Sequence, residues 1–213
     1  MNKMINNSTR HLRRQKQMAR KKTITRDQIL KAAYEVVAKE GFARFTARNI
    51  AAKMKCSTQP IYLEFKNMED LKQALLKEIF DYLSAEVLPK EHSGNKLVDL
   101  GFNYIEFATK EKKLYKALYL EESLGDKSIQ KFSFDYFVDL VQQIPEYKNL
   151  PEDKLSALYA GFWIVVTGLA ALTAANIMKP TNEEIKILLT ETIKNLTTNN
   201  DDLKQAFSGF KFH

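Results

Sequence analysis

Residues 46–65, TARNIAAKMKCSTQPIYLEF, decide how the rest of the chain is read. Thr46 is placed to cap a short helix, its hydroxyl accepting from a free backbone N–H of the first turn. Ile50, Ala51 and Met54 then share one face at helical spacing. The connection Lys55-Cys56-Ser57 is short, and Ser57 is a second good capping residue. The helix after it carries Ile61, Tyr62 and Phe65 toward a core and leaves Thr58, Gln59 and Pro60 at an exposed N-terminal end. Two short helices, a tight turn and a polar tip are what a DNA major groove accepts. The same spacing fits an ordinary helical hairpin.

Working outward, ILKAAYEVVAKEG (29–41) precedes the motif. Thr46, Ile50-Ala51, Ser57, Ile61-Tyr62, Phe65 and Leu71 follow in order. With these pieces, residues 24–71 resemble the DNA-binding region of the tetracycline-repressor (TetR/AcrR) family of bacterial transcription regulators. The chain departs from the family pattern at Lys55 (a turn glycine), Cys56 (a valine) and Met68 (a lysine opening the next helix). Lys55 fits best if the turn does not require positive φ. Lys66 can replace the phosphate-binding charge missing at Met68. The resemblance implies an all-α protein with a helix-turn-helix domain at 24–68. A helical effector-binding and dimerisation domain at 69–213 follows it, and a basic tail at 1–23 precedes it. Its candidate DNA contacts are Thr46, Arg48, Ser57, Thr58, Gln59, Pro60, Tyr62 and Lys66. Arg48 lies opposite Ile50 and Ala51, where a guanidinium can reach guanine, though a surface arginine would look the same.

The charge distribution agrees with a polyanionic partner. Nine of the 33 Lys and Arg residues lie in 1–26, which contains no acid, while 27–213 carries 24 basic against 26 acidic residues. The tail therefore reads either as a solvated arm or as one that follows phosphates or a minor groove. No signal-peptide order is present in 1–26, so the expected location is cytoplasmic. One cysteine excludes an internal disulfide, and seven glycines with five prolines favour helices over a turn-rich sandwich.

Thr25 or Thr23 is expected to cap the first helix, with Ile29, Leu30, Ala33, Tyr34, Val37 and Ala38 buried and Gly41 as a left-handed C-cap. Asn67 opens a helix stopped before Pro89, which links the head to the body. Further helices are expected near 95–109, 112–121 and 128–144, with a break at Gly125-Asp126. Rings crowd residues 102–137, and most rings at helical spacing are plain core. A pocket is nevertheless expected there, with Phe102, Phe107, Tyr119, Phe137 and Trp163 as candidate lining. Pro151 opens the longest helix, and residues 155–178 hold no charge over 24 positions. That length could span a bilayer, but Ser156, Thr167, Thr173 and Asn176, the absence of a second such segment and the balanced flanks argue against it. One face of this helix instead suits a partner subunit. Gly161, Gly168 and Ala175 form a stripe of small residues, and Leu189 on the final helix joins them as a candidate dimer contact. Thr181 caps that final helix, and Phe207, Phe210 and Phe212 end the chain.

Enzyme chemistry has little support. His11, His92 and His213 lie in a tail, a loop and a terminus, and no phosphate loop, metal-ligand cluster or cofactor motif is present. The leading expectation is a ligand-controlled regulator, a repressor by preference, bound as a homodimer to double-stranded operator DNA. The alternatives are a ligand-blind DNA-binding regulator, or a helical interaction protein whose tail meets anionic lipid or RNA.

Overall fold

The computed structural model describes residues 24–120 and 128–198, all in helices and their connections, with no strand among them. The N-terminal tail, the break at Gly125-Asp126 and the terminal Phe207, Phe210 and Phe212 lie outside the described residues.

Helix α1 (Arg26–Glu40) starts at a reciprocal capping box: Thr25 Oγ1 accepts from the Gln28 N–H at 3.3 Å, and Gln28 Oε1 accepts from the Thr25 N–H at 3.2 Å. Gly41 ends it with φ 79° and ψ 175°. That is a positive-φ region essentially restricted to glycine, but not the left-handed helical geometry expected from sequence. The buried stripe holds Ile29, Leu30, Ala32, Ala33, Val36 and Val37, whereas Tyr34 and Ala38 are only half-buried. The difference arises because α1 is covered on two sides, by the other head helices and by a body helix.

A single 3-10 turn (Phe42–Arg44) leads to α2 (Ala47–Met54), capped by Thr46, and then to α3 (Gln59–Glu64). Ile29, Ala33, Ile50, Ile61, Phe65 and Leu71 close the head core. Asn67 caps α4 (Met68–Tyr82), its Oδ1 accepting from the Asp70 N–H at 2.9 Å. The end of α4 widens into a π turn (Leu83–Val87), in which the Leu88 N–H reaches the Leu83 carbonyl at 2.8 Å.

The body is built from α5 (Lys96–Lys110), α6 (Lys112–Tyr119), α7 (Ser128–Gln142), α8 (Glu152–Ala174) and α9 (Asn182–Thr197). Helix α8 packs along α5 and α9, α9 also lies on α5, and α6 leans on α1 of the head. Close approach is bought with glycine at Gly101, where an added Cβ would sit 2.6 Å from Leu189 Cδ1, and at Gly161, where it would sit 2.5 Å from Leu196 Cδ2. Two expected dimer contacts are corrected by this. Gly161 admits α9 of the same protomer, and Leu189 is fully buried against α5. By length and composition α8 could cross a membrane, but half of its most apolar window is buried within the protomer.

Candidate functional site

The head presents α3 outward. Its exposed face carries Gln59, Tyr62 and Leu63, spaced i, i+3 and i+4, and Lys66 is exposed just past the helix end, after the extended Phe65. Tyr62 is 53% exposed and Leu63 76%. Tyr62 is thus corrected from a core position to a surface one, because Ile61 and Phe65 alone fill the space beneath α3. Ser57 was expected to cap this helix and does not. Thr58 precedes α3 at φ −74° and ψ −16°, already helical, without a side-chain cap, and Pro60 occupies the first turn, where its missing N–H is harmless. Ser57 and Gln59 are exposed, while Thr58 and Pro60 are half-buried.

On α2, Thr46 Oγ1 accepts from the Asn49 N–H at 3.2 Å, and Arg48 is exposed. Among the described residues no ion pair engages Arg48, Lys55 or Lys66, so their charges face solvent on the head. By contrast Lys53 is tied to Glu35 at 2.8 Å and Arg44 to Glu40 at 3.4 Å.

One residue that sequence reading left out as a support, Arg26, holds α3 in place. Arg26 stacks its guanidinium 4.2 Å over the Phe65 ring and donates to the Glu64 carbonyl at 3.3 Å, joining the start of α1 to the end of α3. Leu63, beside Tyr62 on the exposed face, was likewise passed over, although the helical period already placed it there.

In the body, rings converge between α5, α6, α7 and α8. Tyr119, Phe137 and Trp163 line a cavity of about 20 Å³. Phe102 and Phe107 do not: Phe102 tilts against His92 and Phe107 packs on Tyr115. Tyr104, Ser133, Tyr159 and Phe162 complete the wall and were not singled out beforehand. The Tyr104 hydroxyl approaches those of Thr167 and Tyr115, yet none of the three reaches hydrogen-bond geometry, and Ser133 Oγ is also without a partner among the described residues. Burial pushes the phenols of Tyr104, Tyr119 and Tyr159 well above their ordinary range.

The cavity and the head are joined through Glu111, at the boundary of α5 and α6. It accepts from Tyr82 at 2.7 Å and from Tyr34 at 3.5 Å. On α8, Ile164, Gly168 and Leu172 form an exposed line, with Ala175 exposed beyond it. An added Cβ at Gly168 meets nothing within 4 Å. Among the described residues no group of His, Cys, Asp or Glu is placed to hold a metal ion.

A three-helix head with an outward helix of polar and apolar tips, carried on a helical body, is an arrangement that a DNA major groove accepts. Residues 29–75 match the model of the bacterial regulatory proteins of the tetR family. The match covers the head and the start of the linking helix, so that part of the chain is similar to the DNA-binding domain of that family. The fold is similar to that of a protein from Vibrio parahaemolyticus described as a TetR-family transcriptional regulator, with TM-score 0.59 and 17% identity over 80% of this chain and 97% of that one. It is also similar to the fatty acid degradation regulator FadR from Bacillus halodurans, with TM-score 0.50 and 17% identity over 82% of this chain and 95% of that one. At such identity the likeness concerns the fold. No curated protein matches the chain.

Proposed function

We propose that the protein is a cytoplasmic repressor that binds operator DNA as a homodimer and is released by a small apolar or aromatic effector. The head, 24–68, supplies Arg48, Gln59, Tyr62 and Lys66 to DNA, with Thr46, Ser57, Thr58 and Pro60 around them. The body, from 69 onward, supplies the effector cavity and the dimer contact. The carrying observation is the path from cavity to head: α6 bears Tyr115 and Tyr119 at one end and Glu111, bonded to Tyr34 and Tyr82, next to the other. A ligand that displaces α6 therefore bears on both the first head helix and the linking helix. The exposed Ile164–Gly168–Leu172 line, with Leu188 exposed on α9, is an apolar surface that a second copy can cover.

The test has two stages. Fragments of the source genome retained by the protein define the operator, which should contain two half-sites about one helical turn, ~34–36 Å, apart. Operator binding is then titrated against small aromatic molecules. Binding that survives moderate salt and responds to a ligand supports the reading; steep, sequence-independent binding supports an electrostatic partner such as lipid or RNA instead. A ligand-blind regulator is the second reading, favoured by the small volume of the cavity, about 20 Å³.

A further inference from the structure

The chemistry of the cavity narrows what it can hold, and this step rests on the effector reading above. Its wall is made of rings and aliphatic side chains with the hydroxyls of Tyr104 and Ser133; no charged side chain lines it among the described residues. Among the described residues both hydroxyls are buried and outside hydrogen-bond geometry, although Tyr104 comes near Thr167 and Tyr115 and Ser133 comes near the Tyr119 hydroxyl. Buried polar groups are nearly always hydrogen-bonded, so these two are vacancies for a donor or an acceptor. The present volume, about 20 Å³, admits roughly one water. Leu88 and Tyr136 separate it from an outer cleft of about 480 Å³, and Tyr136 is only half-buried, so its ring is the movable part of that wall.

The outer cleft does not select anions. Lys90 lies 3.7 Å from Glu106 and Lys96 donates to Gln143 at 3.1 Å, while Glu91, Asp99 and Asp139 add negative charge around them. A carboxylate would leave water for a site with no cation to receive it. An ammonium would find rings but no counter-charge inside. Either ion forfeits hydration that the wall does not replace. The phenols themselves stay protonated at neutral pH, because burial raises their pKa.

We propose that the cavity takes an uncharged aromatic molecule bearing a hydroxyl or carbonyl oxygen, with Tyr104 and Ser133 as its hydrogen-bonding partners and Tyr119 and Trp163 as its apolar walls. Entry requires Tyr136 to swing toward the outer cleft.

Trp163 is the sole tryptophan of the chain and lines the cavity, so its emission reports occupancy directly. The probes are p-cresol, p-toluate and p-methylbenzylammonium, which share one ring and differ in charge at neutral pH. Titration followed by Trp163 emission and by calorimetry should show p-cresol binding about ten-fold or more tightly than either ion. Tyr104→Phe and Ser133→Ala should each weaken p-cresol by about three- to ten-fold without lowering the melting temperature, since each removes a hydroxyl that has no partner. Phe102→Leu, outside the cavity, should leave p-cresol affinity unchanged. Tighter or equal binding of p-toluate or p-methylbenzylammonium overturns the assignment of ligand class and leaves the effector reading standing. Unaltered p-cresol affinity in both hydroxyl variants overturns the roles of Tyr104 and Ser133. Failure of all three probes to bind removes the site, and the effector reading goes with it.

Discussion

Tyr82 donates its phenolic proton to Glu111 at 2.7 Å, and this bond fastens the end of the linking helix to the start of α6. Burial, and then the hydrogen bond to Glu111, push the Tyr82 phenol well above its ordinary range, so the donor stays protonated at neutral pH. The second Glu111 oxygen lies 3.5 Å from the Tyr34 hydroxyl of α1. One carboxylate therefore meets the first head helix, the linking helix and the helix that walls the cavity. Glu111→Ala should leave effector affinity of the free protein nearly unchanged while reducing effector-induced loss of operator affinity by about 1 kcal/mol of coupling. Effector isotherms with and without operator measure this. Coupling that survives intact in Glu111→Ala sends the route elsewhere.

Lys55 adopts φ 55° and ψ 45°, a left-handed conformation, so the turn does require positive φ. The condition under which lysine would cost least is not met; the chain bears the strain, which is of order 1–2 kcal/mol for a side chain with a Cβ. Lys55→Gly should raise unfolding stability by about 0.5–1 kcal/mol once glycine's greater unfolded-state entropy is subtracted. Urea denaturation reads the change. If Lys55 also meets a phosphate, the same variant should bind operator more weakly and with a shallower salt dependence.

The head was legible because its signals are local. Thr25, Thr46 and Asn67 each bond the backbone N–H three residues on, as capping residues at those positions should. Ser57 misled because the residue before α3, Thr58, is already helical and no side chain caps the helix. The body was less legible because ring orientation depends on how helices cross. Nothing near Phe107 in sequence tells that it faces Tyr115, while Tyr104, three residues before it, faces the cavity. The small residues at seven-residue intervals do not share one surrounding. Gly161 receives a helix of its own chain and Gly168 faces outward, a division that only the position of α9 decides.

That division separates two variants. Gly161→Ala forces the terminal carbons of Leu196 to move from 2.5 and 2.7 Å, and Leu196 is half-buried and able to give, so the cost should be about 1 kcal/mol of protomer stability. At Gly168 an added Cβ meets nothing within 4 Å and the position is exposed, so Gly168→Leu should fold normally while weakening the dimer and operator binding together. Sedimentation and thermal melting on both proteins read the contrast. A normally dimeric Gly168→Leu protein moves the dimer contact off this part of α8.

Buried phenols predict a loss of stability in alkali. The pKa values of Tyr104, Tyr119 and Tyr159 are raised above the ordinary 10.0, chiefly by burial. Their folded-state pKa values exceed the unfolded ones. The stabilising contribution is therefore complete below about pH 10 and is lost as pH climbs toward the folded values, because the unfolded chain releases protons that the folded chain keeps. Melting temperature should fall steeply above about pH 10, and tyrosinate absorbance from these residues should appear only with unfolding. Tyr104→Phe should flatten the fall. Smooth titration of every tyrosine at its ordinary value, with the fold intact, contradicts the burial that underlies the cavity wall.

The outward face of α3 separates reading from holding. Gln59 opens the helix, Tyr62 and Leu63 are exposed further along it, and Lys66 is exposed in the connection that follows its end. A glutamine amide can donate to and accept from the edge of adenine at once, so its contribution depends on the base it meets. A lysine at a phosphate contributes the same on any sequence. Gln59→Ala should therefore cost about 1–3 kcal/mol on the operator and little on random DNA, with the salt slope unchanged. Lys66→Ala should weaken both DNAs alike and reduce the slope by about one counterion. Binding isotherms on the two DNAs at several salt concentrations distinguish the roles. Equal losses for Gln59→Ala on operator and random DNA would reassign that residue to supporting the helix, and leave Arg48 and Leu63 as the side chains to test for base recognition.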